Sequence, residues 1–385
     1  MRKILPVLCL LLCILVGACS TSPDKTSETV IPGPFVDVTA AELAGNIRVG
    51  WNLGNTLDAS DLTWLSNPSV AAMETAWGNP VTTKATIDAV KNAGFNAIRI
   101  PVSWAKCANS NYIIRADWIK RVKQVVDYAV SNDMYIIINT HHDEEIFKFM
   151  DKDMDESKKA FQKVWEQIAE TFKNYDEKLI FEGLNEPRTV KSANEWNGGT
   201  AEERNNLNIL NQLFVDTVRA SGRNNEKRAL MVSSYSASSL AVSMNDVKIP
   251  NDPANEKNKI IVSIHAYEPY NFALNENSPI NTWSASRSSD TLPITERMDR
   301  AYNLFISKGI PVIMGEFGAL NKNNEDARAE WAEYYVKAAK DRGVKCFWWD
   351  DGGDKDPPSG FGLLVRRKNL FAFPKIVAAL MRGSE

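Results

Sequence analysis

Histidine is scarce in this chain, with three in 385 residues. Cysteine is scarce too: of five, three (Cys9, Cys13, Cys19) fall within the first nineteen positions. Only Cys107 and Cys346 lie beyond them, too few for a disulfide framework. Whether those two pair in an oxidising compartment is left open by the sequence. Two cysteines and three histidines also leave little material for a structural zinc site, and no metal is expected. Basic excess is missing, since Lys+Arg 45 stand against Asp+Glu 48 for a net charge of −3. A nucleic-acid partner is therefore not expected. Internal repeats and a second composition regime are absent, and 44% hydrophobic with 24% charged residues argue against disorder. What is plentiful is aromatic: 11 Trp, 10 Tyr and 15 Phe. The length exceeds one ordinary core and implies either one large domain, such as an α/β barrel, or two smaller ones.

The amino terminus reads as an address. Arg2 and Lys3 precede an apolar run from Ile4 to Val16, then Gly17-Ala18-Cys19. The run is too short for a comfortable transmembrane helix. Small residues before Cys19 resemble the lipobox of a bacterial lipoprotein, with an ordinary cleaved secretory signal as the alternative. Either reading exports the chain; acyl groups on Cys19 would anchor it to a membrane leaflet without a spanning segment. The expected organisation is a signal peptide over 1–18, an acylated Cys19 and polar tether over 19–38, and one domain over 39–385, acting as a monomer.

Past the tether, eight short β-branched or apolar runs recur: Ile47–Trp51, Ala97–Ile100, Tyr135–Asn139, Leu179–Glu182, Ala229–Ser233, Ile260–His265, Pro311–Gly315 and Val344–Trp349. Several lack polar alternation, as strands covered on both faces do. Helical spacing links them: Trp118, Val122, Val125, Val126 and Ala129 form one face, and Phe161, Val164, Trp165, Ile168, Ala169 and Phe172 another. Thr200 with Glu203 reads as a capping box, and Trp331, Tyr334, Tyr335 and Ala338 repeat the theme. Strand and helix alternating eight times predict an α/β fold, a single-domain (β/α)8 TIM barrel.

In such a barrel, chemistry belongs at the carboxyl ends of the strands. All three histidines lie there: His141 and His142 after the third strand, His265 at the end of the sixth. Glu186 follows the fourth strand in Asn185-Glu186-Pro187, and Glu316 ends the seventh in Gly315-Glu316-Phe317-Gly318. Strands four and seven are not neighbours, so the two glutamates face each other across the mouth. Two carboxylates flanking a bond are the minimal apparatus for cutting a glycosidic linkage. Pro187 and the glycines around Glu316 are expected to fix turns that aim them. A metal-dependent hydrolase fits less well, since adjacent His141 and His142 point to opposite sides of an extended strand and no His-x-His occurs. The nucleophile-elbow pattern Gly-x-Ser-x-Gly is absent as well.

On these motifs the chain resembles glycoside hydrolase family 5, over nearly all of the mature domain. Gly50-Trp51-Asn52-Leu53-Gly54-Asn55, Trp77-Gly78-Asn79-Pro80, Arg99-Ile100-Pro101-Val102-Ser103-Trp104, Asn139-Thr140-His141-His142, His265-Ala266-Tyr267 and Trp348-Trp349-Asp350 carry the likeness. It points to the branch rich in endoglucanases, whose members act on β-1,4-glucans and often on xyloglucan or mixed-linkage glucan. Two departures stand out: Ala266 replaces a bulkier residue, and Asp351-Gly352 stands where Asn-Gly is common.

The resemblance implies a cofactor-free retaining endo-β-1,4-glucanase. Glu316 would be the nucleophile and Glu186 the general acid and base, its pKa held high while Glu316 is charged. Arg99 would keep Glu316 ionised, Tyr267 would reach it, and Asn185 would bond the sugar 2-hydroxyl. His141 and His265 would orient the carboxylates. His142 and Asn55 would bond other hydroxyls, and Trp349 would stack on the cleaved sugar. The aromatics of the polar stretch Glu268–Asp290 (Tyr270, Phe272, Trp283), with Trp64, Trp104 and Trp196, are candidates for lining a polymer cleft. Alternatives are an endo-β-1,4-mannanase, a dedicated xyloglucanase, and, from another class, a surface lipoprotein that binds glycans without cutting them.

Overall fold

The computed structural model describes residues 32–253, 256–353 and 355–385. The expected signal peptide, Cys19 and most of the tether lie outside the described residues. Eight strands, β1 (Val49–Leu53), β2 (Ala97–Ile100), β3 (Tyr135–Asn139), β4 (Leu179–Glu182), β5 (Leu230–Ser238), β6 (Ile260–His265), β7 (Val312–Phe317) and β8 (Lys345–Asp350), are joined in chain order. Every neighbouring pair is parallel, and β8 closes onto β1. The fold is a single (β/α)8 barrel.

Alternation along each strand sends every second side chain inward. At the amino end these are apolar: Ala97, Ile137, Ile180, Met231, Ile261, Ile313 and Phe347 form one cluster, which Ala40, Leu43 and Ile47 join from the short helix Ala40–Gly45 and its sequel. Phe347 occupies the space opposite Gly50, where an added Cβ would stand 2.1 Å from its ring. Two residues further along, the inward positions turn polar: Asn52, Arg99, Asn139, Glu182, Ser233 and Ser263, all buried. Outward residues such as Ile98, Ile136, Ile138, Phe181 and Val262 belong to the larger core shared with the helices. Strands covered on both faces explain the uninterrupted apolar run in β3.

The helices Ala116–Val130, Met154–Phe172, Ala201–Ala220 and Glu325–Lys340 fall where apolar spacing places them. Thr200 and Glu203 form the reciprocal capping box, each accepting the other's backbone N–H. Glu268–Asp290 is not one long loop: it contains the helix Tyr270–Ala273 and runs into the helix Ser288–Leu304. Cys107 and Cys346 are both buried and free, so they do not pair.

The β6–β7 register matters most for the site. Ile264 pairs with Met314, but His265 pairs with Glu316, leaving Gly315 as an extra residue. Counting strictly from inward Ile313, Glu316 would face outward. The bulge reverses that phase and turns its carboxylate to the barrel axis. Glycine is required here by space, since a Cβ on Gly315 would lie 2.9 Å from His265 Nε2. Gly318 similarly clears Phe361, with 2.9 Å to an added Cβ. These glycines serve close approach, not the turns expected of them.

Candidate active site

The floor of the site is a buried guanidinium. Arg99, wholly inaccessible on β2, donates from Nε to Glu182 at 2.7 Å, from Nη1 to Glu316 at 2.8 Å and to Asn52 at 3.1 Å, and from Nη2 to Asn185 at 2.7 Å. A planar fork with five N–H groups is the side chain that can hold four partners in one plane. Burial opposes its charge, but Glu182 and Glu316 outweigh burial and raise its pKa above the usual arginine range. The second Glu182 oxygen accepts from Ser263 at 2.7 Å, and Asn139 donates to Glu182 at 3.0 Å. Glu182 is thus a fully bonded counter-ion, and the other side of Arg99 is free to serve Glu316.

Glu186 sits on the loop after β4. That loop is pinned by Asn185 N–H to Thr140 O at 3.0 Å, Thr140 Oγ1 to Gly183 O at 2.7 Å, and the Ser233 hydroxyl to Leu184 O. His265 Nδ1 lies 2.9 Å from Glu186 Oε1 and 3.6 Å from Glu316 Oε2. One oxygen of each glutamate, with a ring nitrogen of His265, falls within 4.8 Å of the others. Tyr267 donates its O–H to Glu316 Oε2 at 2.9 Å. Burial, then the charges of Glu316 and Glu186, push that phenol well above its usual range, so it remains a donor.

Glu186 is held by opposing influences. Burial pushes Glu186 up, but the His265 bond and the charges of His265, Arg188 and His142 outweigh burial and lower it. This is opposite to the elevated value expected from the sequence, and the physical reason is the histidine. His265 Nδ1 and Glu186 Oε1 are 2.9 Å apart, a hydrogen bond that favours the charged carboxylate.

The remaining predicted residues ring this centre. His141 Nδ1 accepts from Asn139 Nδ2 at 3.1 Å, which leaves Nε2 3.9 Å from Glu316 Oε1 and 4.0 Å from Asp58. Burial first, then the charges of His142, Arg99 and His265, keep His141 well below the usual histidine range, hence neutral. Its ring lies parallel to Trp349, with centroids 5.7 Å apart and planes 2° from parallel. Gly54 permits this indole: a Cβ there would be 2.8 Å from Trp349. His141 and His142 do not point to opposite sides, because both lie beyond the end of β3; their rings meet edge-on at 4.5 Å. His142 faces Glu144 at 3.4 Å and Trp77 at 5.7 Å. Burial would lower His142, but Glu144 overcomes it and raises its pKa. Asn55 adopts φ 55°, its N–H donating to Asp58 at 2.9 Å. Its carbonyl is held by Asn79 at 2.8 Å, so its placement rests on backbone contacts.

Two groups, Asp58 with His141 and His142, and Glu186 with His265 and Glu316, come close enough to approach a cation. In the second group Glu316 already accepts from Arg99 and Tyr267, and Glu186 is bonded to His265. Sequence reasoning missed Glu182, Asn52, Asn139, Asp58, Glu144 and Arg188. Glu182 had a signal: it lies two positions past inward Ile180, a charge in the phase of the barrel interior. Arg188 pairs with Glu144 and Glu195, each at 3.1 Å, stands 3.9 Å from Glu186 and packs over Trp196 at 4.6 Å.

The aromatic candidates divide. Trp64, Trp196 and Tyr270 are 65%, 54% and 56% exposed, whereas Trp104, Phe272 and Trp283 are buried. Trp104 donates to Asn139 O at 2.8 Å and Trp283 to Asp290 O at 3.1 Å, so both are structural.

Two opposed glutamates at the ends of β4 and β7, bridged by His265 and backed by Arg99, invite comparison with known proteins. Residues 60–355 match the family model for cellulase, glycosyl hydrolase family 5. The chain belongs to glycosyl hydrolase family 5. As a family-5 member it is 46% identical to Endoglucanase A of Clostridium longisporum over 90% of its own length and 66% of that protein's. It is 42% identical to the cellulase/esterase CelE of Acetivibrio thermocellus, of which it spans 42%, with 94% of this chain covered. Among solved structures, a GH5-4 broad-specificity endoglucanase from Ruminococcus champanellensis with bound cellotriose superposes with a TM-score of 0.86. It shares 46% identity, covering 91% of this chain and all of that one.

Proposed function

We propose that this family-5 chain is a retaining endo-β-1,4-glucanase that cuts internal linkages of cellulose-like and mixed-linkage glucans, and of xyloglucan, by double displacement. The observation that supports the mechanism is the close approach of Glu186 and Glu316: one oxygen of each lies within 4.8 Å of the other, and His265 Nδ1 stands 2.9 Å from Glu186 and 3.6 Å from Glu316, which leaves little room for a water between them. Retaining sites hold their carboxyl groups roughly 5–5.5 Å apart, inverting ones about 6.5–9.5 Å. In the first step Glu316 Oε attacks the anomeric carbon, the glycosidic C–O bond breaks, and the leaving oxygen takes the proton of Glu186. Arg99 and Tyr267 hold Glu316 in place and stabilise it as a carboxylate leaving group in the second step. Then Glu186, now ionised, takes a proton from water, whose oxygen displaces Glu316 and restores both residues.

Glucan is favoured over mannan because the relatives are named as endoglucanases and one holds cellotriose. Exposed Trp64, Trp77, Trp196 and Tyr270 around the mouth support an open cleft for a polymer. Both glutamates with their supporting Arg99 favour cleavage over mere glycan capture. On the strength of the leader sequence the reading includes export, with lipid anchoring through Cys19 at the cell envelope or simple secretion; action as a monomer completes it. The test is a panel of carboxymethylcellulose, barley β-glucan, xyloglucan and mannan with the wild type and Glu316→Gln. Rapid viscosity loss on the glucans, abolished in the variant, is expected; activity on mannan alone, or single glucose release without viscosity loss, contradicts it.

A further inference from the structure

Asp143 takes no part in the scheme above, yet it lines the same narrow pocket as Glu186. Its Oδ1 accepts the N–H groups of Trp104 and Ala105, both at 2.7 Å. Its Oδ2 is buried and has no hydrogen-bond partner among the described residues. A buried carboxylate oxygen without a protein donor calls for an explanation, and an adjoining water site is the usual one. Asp143 lines a narrow pocket of about 10 Å³, the room of one water, whose other polar walls include Glu144, Asn185 and Glu186, with Phe147 and Phe149 on the apolar side.

We propose that Asp143 is a positioning residue for the acid: it holds a water in this pocket and, across it, its carboxylate keeps the proton on Glu186. The inference rests on reading Glu186 as acid and base, and deepens it. Around Asp143 stand Glu144 and His141 on its own segment, Lys106 and Cys107 from the turn Ala105–Cys107, and Glu186 across the pocket. Around Glu186 stand His265 from β6, Arg188 on its own loop, His142 and Glu144 after β3, and Glu316 and Tyr267. His265, Arg188 and His142 favour the ionised acid, so an opposing anion has work to do at working pH.

Burial pushes Asp143 up to about 7 against the two backbone N–H bonds, with Glu144 adding to the rise and Lys106 opposing it. The charge of Asp143 therefore appears nearer neutral pH than that of an ordinary carboxyl. As its charge appears, Glu186 holds the proton to higher pH.

Asp143→Asn keeps the Oδ1 acceptor and replaces Oδ2 by an amide nitrogen. Its alkaline limb of kcat/KM is expected to move to lower pH by roughly half a unit or more, with the acid limb unmoved. A uniform drop in kcat with both limbs in place would mean a purely structural residue and overturn the proposal. A second measurement needs neither substrate nor that variant: the carboxyl 13C NMR titration of Asp143 in the full folded chain, wild type against Glu186→Gln. Removing the Glu186 charge should lower the Asp143 midpoint by a comparable amount, because coupling is reciprocal. An unchanged midpoint contradicts it, even where Asp143→Asn fails to fold. Glucan hydrolysis with no such coupling would sink this inference alone, whereas coupling in a chain that cuts no glucan would sink the proposed function instead.

Discussion

Arg99 Nε and Glu182 Oε2 stand 2.7 Å apart with neither side chain accessible to solvent. This pair lies one inward step above the apolar barrel core, and it fixes the guanidinium whose other edge holds Glu316 at 2.8 Å. Glu316, the proposed nucleophile, is thus oriented by a charge that a second carboxylate, Glu182, neutralises. A buried pair of this kind contributes geometry more than net stability, but losing one partner strands the other.

Arg99→Ala leaves Glu182 and Glu316 without their shared cation. A loss of about 3–5 kcal/mol in denaturant unfolding is expected. Arg99→Lys replaces a fork by a point charge and should lower kcat by roughly 100-fold, because one ammonium cannot reproduce the four directed bonds. Near-normal kcat in the lysine variant would show that charge suffices without geometry.

Tyr267→Phe removes one neutral donor to Glu316 Oε2. kcat should fall by roughly 100-fold with KM little changed, as in the proposed second step the bond matters most when Glu316 departs as a carboxylate. The phenol is pushed well above its ordinary range, so the alkaline limb of the wild-type profile is not its titration. The pH profile of the phenylalanine variant should keep the same limbs.

The Gly315 bulge carries its own prediction. In Gly315→Ala the added methyl meets His265 Nε2 at 2.9 Å and must displace the ring that bridges the glutamates. Overpacking costs about 1–3 kcal/mol, and the larger effect should be on kcat. A crystal structure of the variant with His265 unmoved, at wild-type activity, would show that the bulge tolerates a side chain.

Asp351 offers a test by pH. Burial first, then the charge of Asp350, push its carboxyl up to about 6. Its folded pKa is therefore above the unfolded one, so between roughly pH 4 and 6 the unfolded chain gives up its proton first. The contribution to stability is full below pH 4 and is lost as pH rises through 6. Asp351→Asn, which can still accept Phe361 N–H at 3.1 Å, should stabilise the fold at pH 8 by roughly 1–3 kcal/mol. At pH 4 the two proteins should melt together. Equal melting temperatures at pH 8 would show that the charge is already relieved.

The barrel was legible because its signals are local. β2, β3, β4 and β6 end where their apolar runs end, and the capping box at Thr200 is a four-residue pattern. Glu186 and Glu316 were legible from motif and strand order, but the inward aim of Glu316 was not. That depends on one extra residue in register against β6, a relation between two strands about fifty residues apart in sequence and invisible in either alone. Tryptophan was the least readable residue. Trp104 and Trp283 are buried while Trp64 and Trp196 are exposed, because a core and a sugar platform ask for the same flat apolar ring. Glu182 went unrecognised because its role exists only once Arg99 is placed beside it.

The central claim is tested most directly by following the anomeric configuration of the newly formed reducing ends by 1H NMR in the first minutes of glucan hydrolysis, before mutarotation. Glu186 and Glu316, close enough for His265 Nδ1 to stand 2.9 Å from one and 3.6 Å from the other, predict under the proposed double displacement that the β-anomer appears first. Initial formation of the α-anomer would mean single displacement by water, and would contradict the account.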